Sequence, residues 1–335
     1  MRSRPSDLDD ERLLRTLDAG WGLRAGSLTY VPEGGGSHHW TLVGDDGRHH
    51  FVTVDELDDK DWMADTRPAV LDGLGRALRT ACALRDLSGL EFVVAPVIAR
   101  DGGVLQRIDD RYVVSVFPYL TGHSYPFGPY PDAELRHRAL DLVAALHRAT
   151  PVVRDLASRP APRFGGERDL AAFLADPTRP WNAGPFSELT RARFAQHGRG
   201  LEQLVAGFAA LIDRTEPARS NPVITHGEPH PGNLMCVDDG LVLIDWDTVA
   251  LAAPERDLAL IVTDDEDGER YQQATGHTVD GDAITLYRLR WYLDDLASAV
   301  RMFRHPHRAT ADTRRWSDGV EAQLEQLPSW LARVG

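Results

Sequence analysis

The sequence predicts an α+β protein of two lobes, a small β-rich lobe over residues 1–121 and a larger, mostly helical lobe over residues 122–335. Three observations carry that expectation. β-rich runs separated by turn signals crowd the first third of the chain. Helix-period patterns dominate after Pro131. Within that helical half one polar segment, THGEPHPGNLMCVDDGLVLIDWD (Thr225 to Asp247), reads as loops and short strands.

Taken in order, a short helix from Asp10 to Ala19 opens the chain, followed by the runs SLTYVPEGGGSHHWTLV and RHHFVTVDEL. GDDG at Gly44 to Gly47 joins these runs as a hairpin turn. From Ala69 to Leu87 the apolar residues Val70, Leu71, Leu74, Leu78 and Leu84 recur at helical intervals. LEFVVAPVIA, GVLQRI and RYVVSVFPYL then restore a strand pattern, so that one helix packs on a small mixed sheet. The lobe boundary falls near Thr121 to Pro131. Beyond it, PDAELRHRALDLVAALHRAT has proline at the entry of an amphipathic helix. GRGLEQLVAGFAALIDRT and DAITLYRLRWYLDDLASAVRMF are further helices, and Arg159 to Arg168 is an exposed crossing loop.

Composition excludes several classes. A length of 335 residues with 42% hydrophobic and 26% charged residues fits a full-cored globular protein. No apolar run is long enough to span a bilayer, and the N-terminus lacks the apolar core of a signal peptide, so a cytoplasmic enzyme without a membrane partner is expected. A net charge of −14 argues against nucleic acid and is compatible with a cationic substrate. Cys82 and Cys236 lack metal spacing and read as buried free thiols. Lys60 is the only lysine among 37 basic residues.

The polar segment carries the chemistry. Magnesium takes hard oxygen ligands, usually one or two carboxylates beside phosphate oxygens. Asn233 and Asp245 supply such oxygens from two loops if Leu241 to Ile244 is a strand and VDDG (Val237 to Gly240) its hairpin turn. Glu228, five residues before Asn233, is placed to accept the proton of an attacking hydroxyl. Acid, then Asn at +5, then Asp 12 residues later is the order that a phosphoryl-transfer centre uses.

HGEPHPGN followed by LIDWD resembles the aminoglycoside phosphotransferase family. YVPEGGGSHHW upstream and PERDLALI downstream bring it closer to the spectinomycin phosphotransferase branch, and the resemblance covers about Tyr30 to Leu296. It implies a kinase-like two-lobe fold and an ATP- or GTP-dependent O-phosphotransferase using Mg2+. Glu228 then matches the catalytic acid, and His226 opens the catalytic loop and holds backbone. Asn233 and Asp245 match the metal ligands, while Asp247 sits near a second metal or supports the loop. Asp257 braces the loop from a helix start, and His230 is a solvent-facing spacer within it. On the nucleotide side Gly34, Gly35, Gly36 and Ser37 either meet phosphates or form a flexible turn. Pro118, Tyr119 and Leu120 match the segment whose backbone pairs with adenine or guanine.

The chain departs from the family at two points. Thr53 stands where the third strand carries lysine, and the helix from Ala69 offers Asp72 but no Glu as that lysine's acidic partner. Lys60, seven residues past Thr53, either compensates or is an ordinary exposed lysine; Arg48, His38 and His39 are other candidates for phosphate contact. Glu228 replaces Asp, which moves the carboxylate by roughly 1 Å. For the acceptor, Asp264, Asp265, Trp291, Tyr292 and Asp295 suit an aminated, hydroxylated small molecule, the alternatives being a solvated acidic loop and helix core. Such an acceptor would be an antibiotic or natural-product intermediate, bound by a monomer or homodimer. Phosphorylation of Ser or Thr in a peptide precursor and a catalytically impaired binding protein are the competing readings.

Overall fold

The computed structural model describes residues 3–216, 220–238 and 240–334. Two compact units emerge, Met1–Pro160 with Asn221–Val279, and Ala161–Ser220 with Asp280–Gly335. The strand-rich section and the polar segment therefore belong to the same unit.

That unit opens with α1 (Asp10–Trp21), capped by the Asp9 carboxylate, which accepts from Arg12 N at 2.6 Å. Strands β1 (Ala25–Val31), β2 (His38–Gly44) and β3 (His49–Glu56) follow, then α2 (Arg67–Ser88), β4 (Gln106–Arg107) and β5 (Tyr112–Pro118). They form one antiparallel sheet in the order β1-β2-β3-β5-β4. The β2–β3 turn needs Gly47, whose φ of 77° lies in the left-handed region. Side chains of a strand alternate between faces. Val52 and Val54 accordingly join Trp40, Leu42, Val114 and Val116 beneath Leu13 and Leu17 of α1. The intervening Thr53 and Asp55 face the other way, opposite Ser115 and Val113 on β5. Val113 itself packs with Leu57, Val70, Leu74 and Leu78, which docks α2.

The unit continues through β6 (Gly122–Ser124) and α3 (Ala133–Arg148), the latter capped by Asp132. The second unit then supplies α4 (Glu167–Ala175), α5 (Ser187–Gln196) and α6 (Gly198–Arg214). The chain returns to the first unit for β7 (Val223–Thr225), β8 (Leu234–Val237), β9 (Gly240–Leu243), β10 (Ala250–Ala252) and α7 (Asp265–Thr275). β6, β8 and β9 pair as one sheet and β10 with β7 as another. Finally α8 (Gly281–Arg304), α9 (Ala311–Leu324) and α10 (Leu327–Val334) complete the second unit. Its core joins Phe173, Phe194, Leu204 and Phe208 to Leu289, Leu293, Leu296 and Val300 of α8. None of the described helices is long and apolar enough to cross a membrane.

Several expectations are corrected. LEFVVAPVIA forms no strand; Val93 bridges Leu243 and Val97 N bonds Val116 O at 2.7 Å. Pro96 interrupts it, lacking the N–H a ladder needs and biasing the residue before it. GVLQRI contributes only the two residues of β4. The stretch Arg159 to Arg168 is not wholly exposed, since Phe164, Gly165 and Gly166 are buried and helix begins at Glu167. Both cysteines are free and half-buried rather than buried. In the VDDG turn, Asp239 lies outside the described residues, while Val237 and Gly240 pair as hairpin partners.

Leu17 is fully buried between α1 and the sheet. Leu17→Ala should cost about 2–5 kcal/mol in urea unfolding. An unchanged midpoint would show that α1 does not contribute to the folded unit.

Candidate active site

The loop after β7 is held by backbone N–H groups that converge on one carboxylate. Asp257, in the single turn Glu255–Leu258, accepts from His226 N at 2.8 Å and Gly227 N at 2.6 Å. His147 of α3 donates to it from Nε2 at 3.1 Å, while its Nδ1 shares a hydrogen bond with the Tyr271 hydroxyl at 2.6 Å. Asp257 is fully buried. Burial alone would raise its pKa, but the hydrogen bond and charge of His147 and the charge of Arg256 hold it below the ordinary carboxylate value. Gly227 has φ 101°, and a Cβ there would meet the Arg256 guanidinium at 2.3 Å. Arg256 donates to Thr225 Oγ1 and to the Thr248 carbonyl, both at 2.8 Å.

His226 links this loop to the next. Its Nε2 donates to the Ile244 carbonyl at 2.9 Å, and Nδ1 accepts from Glu228 N at 3.2 Å. Both ring nitrogens thus serve backbone, so His226 holds the loops and is not free to move a proton. The ring is buried against Trp246, with centroids 4.7 Å apart, and burial pushes its pKa down to about 4. His230 is half-buried, its ring meeting that of exposed Phe127 edge-to-face at 4.8 Å.

The two loops meet through Ile244 N, which donates to the Asn233 carbonyl at 2.9 Å. Asn233 is buried, and its amide nitrogen donates to the Glu228 carbonyl at 3.0 Å. That bond fixes the amide orientation, assigned from the hydrogen-bond network, and turns Oδ1 into the free acceptor. Asp245 follows with φ 67°, the one non-glycine residue of positive φ among the described residues. Such a conformation costs about 1–3 kcal/mol and tends to mark functional loops. Asp245 is exposed by surface area, yet protein crowds its carboxylate on most sides. Desolvation, then the charges of Asp247 and Glu228, raise its pKa well above the ordinary value. Among the described residues no group of three His, Cys, Asp or Glu side chains forms a metal-type cluster by itself, so a hard divalent cation here would draw on the Asn233 amide oxygen and on phosphate oxygens beside the carboxylates.

Lys60 is the cation at this centre. It is 2% exposed, with Nζ 2.7 Å from Asp247 Oδ2 and 3.0 Å from Asp55 Oδ1. Burial alone would depress its pKa, but Asp247 and Asp55 outweigh burial and raise it. The exposed-lysine alternative is thereby excluded. Thr53 is half-buried and shares a hydrogen bond with His39 Nδ1 at 3.3 Å. His39 stacks on Phe51 and is pushed down to about 3 by burial, so it is neutral and contributes no charge for phosphate. His38 is corrected as a loop contact, since it is buried on β2 with Nδ1 3.2 Å from the Tyr30 hydroxyl. Gly35 and Gly36 are open, with nothing within 4 Å of a Cβ. Pro118 and Tyr119 line a cavity of about 540 Å³ with Arg48, His49, His50, Val97 and Thr121; Leu120 does not line it.

The residues singled out for the acceptor have other engagements. Asp264 caps α7 and meets Arg136 at 3.4 Å, whereas Asp265 is exposed. In the second unit Tyr292 is corrected to core, buried and stacked on Trp330 at 5.4 Å, with its hydroxyl donating to the Gln323 carbonyl at 2.7 Å. Trp291 beside it is half-buried. Asp295 accepts from Gln323 Nε2 at 3.0 Å and is pushed up to about 6, chiefly by burial. Asp55, His147, Thr248 and Arg256 are site residues that the sequence reading missed. The acid two residues past Thr53 was the available signal for Asp55.

A strand-rich sheet with a buried lysine, a carboxylate-bearing loop and an Asn/Asp pair on neighbouring loops fits a kinase-like phosphotransferase. Residues 30–292 match the model of the phosphotransferase enzyme family APH, and the chain belongs to that family. Protein StrN of Streptomyces griseus is 30% identical over 278 residues, 78% of each protein. Spectinomycin phosphotransferase, solved with ADP and spectinomycin, shares the fold with a TM-score of 0.67 over 98% of each chain at 14% identity. A microcompartment-associated aminopropanol kinase matches with a TM-score of 0.60 over 98% of this chain and 99% of its own at 16% identity. Amicoumacin kinase, solved with AMP-PNP, Ca2+ and Ami, gives 0.57 over 96% and 97% at 13% identity.

Buried neutral histidines give a pH dependence of known sign. The unfolded chain binds protons near pH 6.5, while folded His226 and His230 resist them until about 4. Stability should therefore fall as pH drops from about 6.5 to about 4. Urea unfolding across that window should show the slope reduced by up to one proton in His226→Gln. An unaltered slope would mean that the ring is not held neutral.

Proposed function

We propose that the protein transfers the terminal phosphoryl group of a nucleoside triphosphate to a hydroxyl of a small, hydroxylated, cationic acceptor, with Mg2+ as cofactor. The observation that supports this most is the position of Lys60, buried and joined to Asp247 in the loop that also carries Asp245. It restores the cation that Thr53 does not provide.

Each residue then has a task. Glu228 accepts the proton of the acceptor hydroxyl as its oxygen bonds phosphorus and the bond to the nucleoside diphosphate breaks. Asn233 Oδ1, Asp245 and Asp247 would hold the metal ion. Magnesium bound there supplies neutralisation of phosphate charge. Lys60 adds a fixed positive charge to the phosphates, and the open backbone at Gly35 and Gly36 leaves room for them beside Ser37. Pro118, Tyr119 and Leu120 would present backbone groups to the base. His226 and Asp257 keep the two loops in register.

The acceptor class draws on charge and on the relatives. A net charge of −14 and exposed Asp265 favour a cation. The relatives include a spectinomycin phosphotransferase and an aminopropanol kinase, whose named acceptors are both hydroxylated amines. An aminocyclitol-type antibiotic or an amino-alcohol intermediate fits this description.

Thermal unfolding with ATP or GTP, each with and without Mg2+, tests the reading. A nucleotide at ~100 times its dissociation constant should add about 2.7 kcal/mol of stability. The shift should require magnesium and disappear in Asp245→Asn; identical midpoints with and without nucleotide in the wild type would sink the proposal. Once an acceptor is found, Glu228→Gln should lower kcat by on the order of 100-fold or more at unchanged nucleotide affinity. Full turnover by that variant would remove Glu228 from the chemistry.

A further inference from the structure

Asp55 is 3% exposed on β3, one alternation past Thr53 and on the same face. Its Oδ1 accepts from the Ser37 hydroxyl at 2.6 Å and lies 3.0 Å from Lys60 Nζ, which is itself 3.5 Å from Ser37 Oγ. A polar chain therefore runs from the glycine loop through Ser37, Asp55 and Lys60 to Asp247. The helix acid considered from sequence, Asp72, is exposed.

Charge decides what Asp55 is for. A buried ammonium needs a close carboxylate, and Asp247 alone would satisfy Lys60. Asp247 also stands two residues from Asp245 in the loop that would hold the metal, so a bound cation competes with Lys60 for its oxygens. Once Asp247 turns to that cation, Asp55 is the carboxylate that still anchors the ammonium. With Asp245 included, three acids face one ammonium, an excess that suits an added cation.

We propose that Asp55 is a positioning residue for phosphoryl transfer, fixing the Lys60 ammonium and the Ser37 hydroxyl in one constellation while Asp247 serves the metal. The strand thus carries the acid and the segment beyond it the cation, the reverse of the order expected from sequence. This rests on the reading of the site as a magnesium–nucleotide centre.

Calorimetric titration of the full chain with Mg·ATP and Mg·GTP tests it, using wild type, Asp55→Asn, Lys60→Met and the double variant. Asp55→Asn should weaken nucleotide binding by about 10-fold in the wild-type background and by less than about 2-fold in the Lys60→Met background, the coupling expected of residues in contact. An equal loss in both backgrounds would show that Asp55 only supports the sheet and would overturn the proposal. Asp72→Asn should bind as the wild type does. Should Asp55→Asn fail to fold, Asp55→Glu decides: about 3-fold weaker binding at an unchanged melting midpoint supports positioning, and unchanged binding overturns it. Absence of nucleotide binding by folded wild type would refute the underlying functional reading and this inference with it, whereas wild-type binding with no effect of Asp55→Asn refutes this inference alone.

Discussion

One buried carboxylate organises the chemistry of this chain. Asp257 gathers two consecutive backbone N–H groups and a histidine N–H, and so fixes the loop that presents Glu228. Such a charge is tolerable in the interior because its hydrogen bonds replace hydration. Everything downstream depends on the loop lying in that position. His226 reaches Ile244 only from there, and Ile244 in turn bonds Asn233. The result is a closed circuit of short contacts in which the metal-type oxygens and the candidate base are set by backbone rather than by flexible side chains. Preorganisation of this kind is what phosphoryl transfer needs, since placement and charge neutralisation do most of the work.

Residue polarity inside the circuit follows the same logic. His39 and His226 are held neutral by burial, and they act as hydrogen-bonding groups of fixed orientation. The charges of Asp247 and Glu228 act against that of Asp245. Lys60 offsets part of that repulsion. The strained backbone at Asp245 belongs to the same economy, as the loop holds a conformation that its neighbours impose.

Much of this was legible in the sequence, for identifiable reasons. Helices α2, α3 and α8 announced themselves by apolar spacing, caps and proline placement, all of which are local. The acid, Asn and Asp of the polar segment were readable because their spacing along one hairpin is also local. LEFVVAPVIA misled because its apolar content matches a strand while Pro96 denies it the ladder. Tyr292 and Asp264 misled because an aromatic or acidic residue looks the same in sequence whether it is packed, capping or facing a ligand. Asp55 was missed for a different reason. Its partner Lys60 sits across a turn, its other neighbour Ser37 lies on another strand's approach, and only the folded sheet brings the three together.

The role proposed for Lys60 has a consequence for control. A helix that carries a charge of the reaction centre can act as a lever, because swinging it removes the charge. Here Lys60 and Asp55 belong to β3 and the short segment after it, while α2 docks on them through the packing of Val70, Leu74 and Leu78. Displacing that helix would loosen the core without first disarming the ammonium.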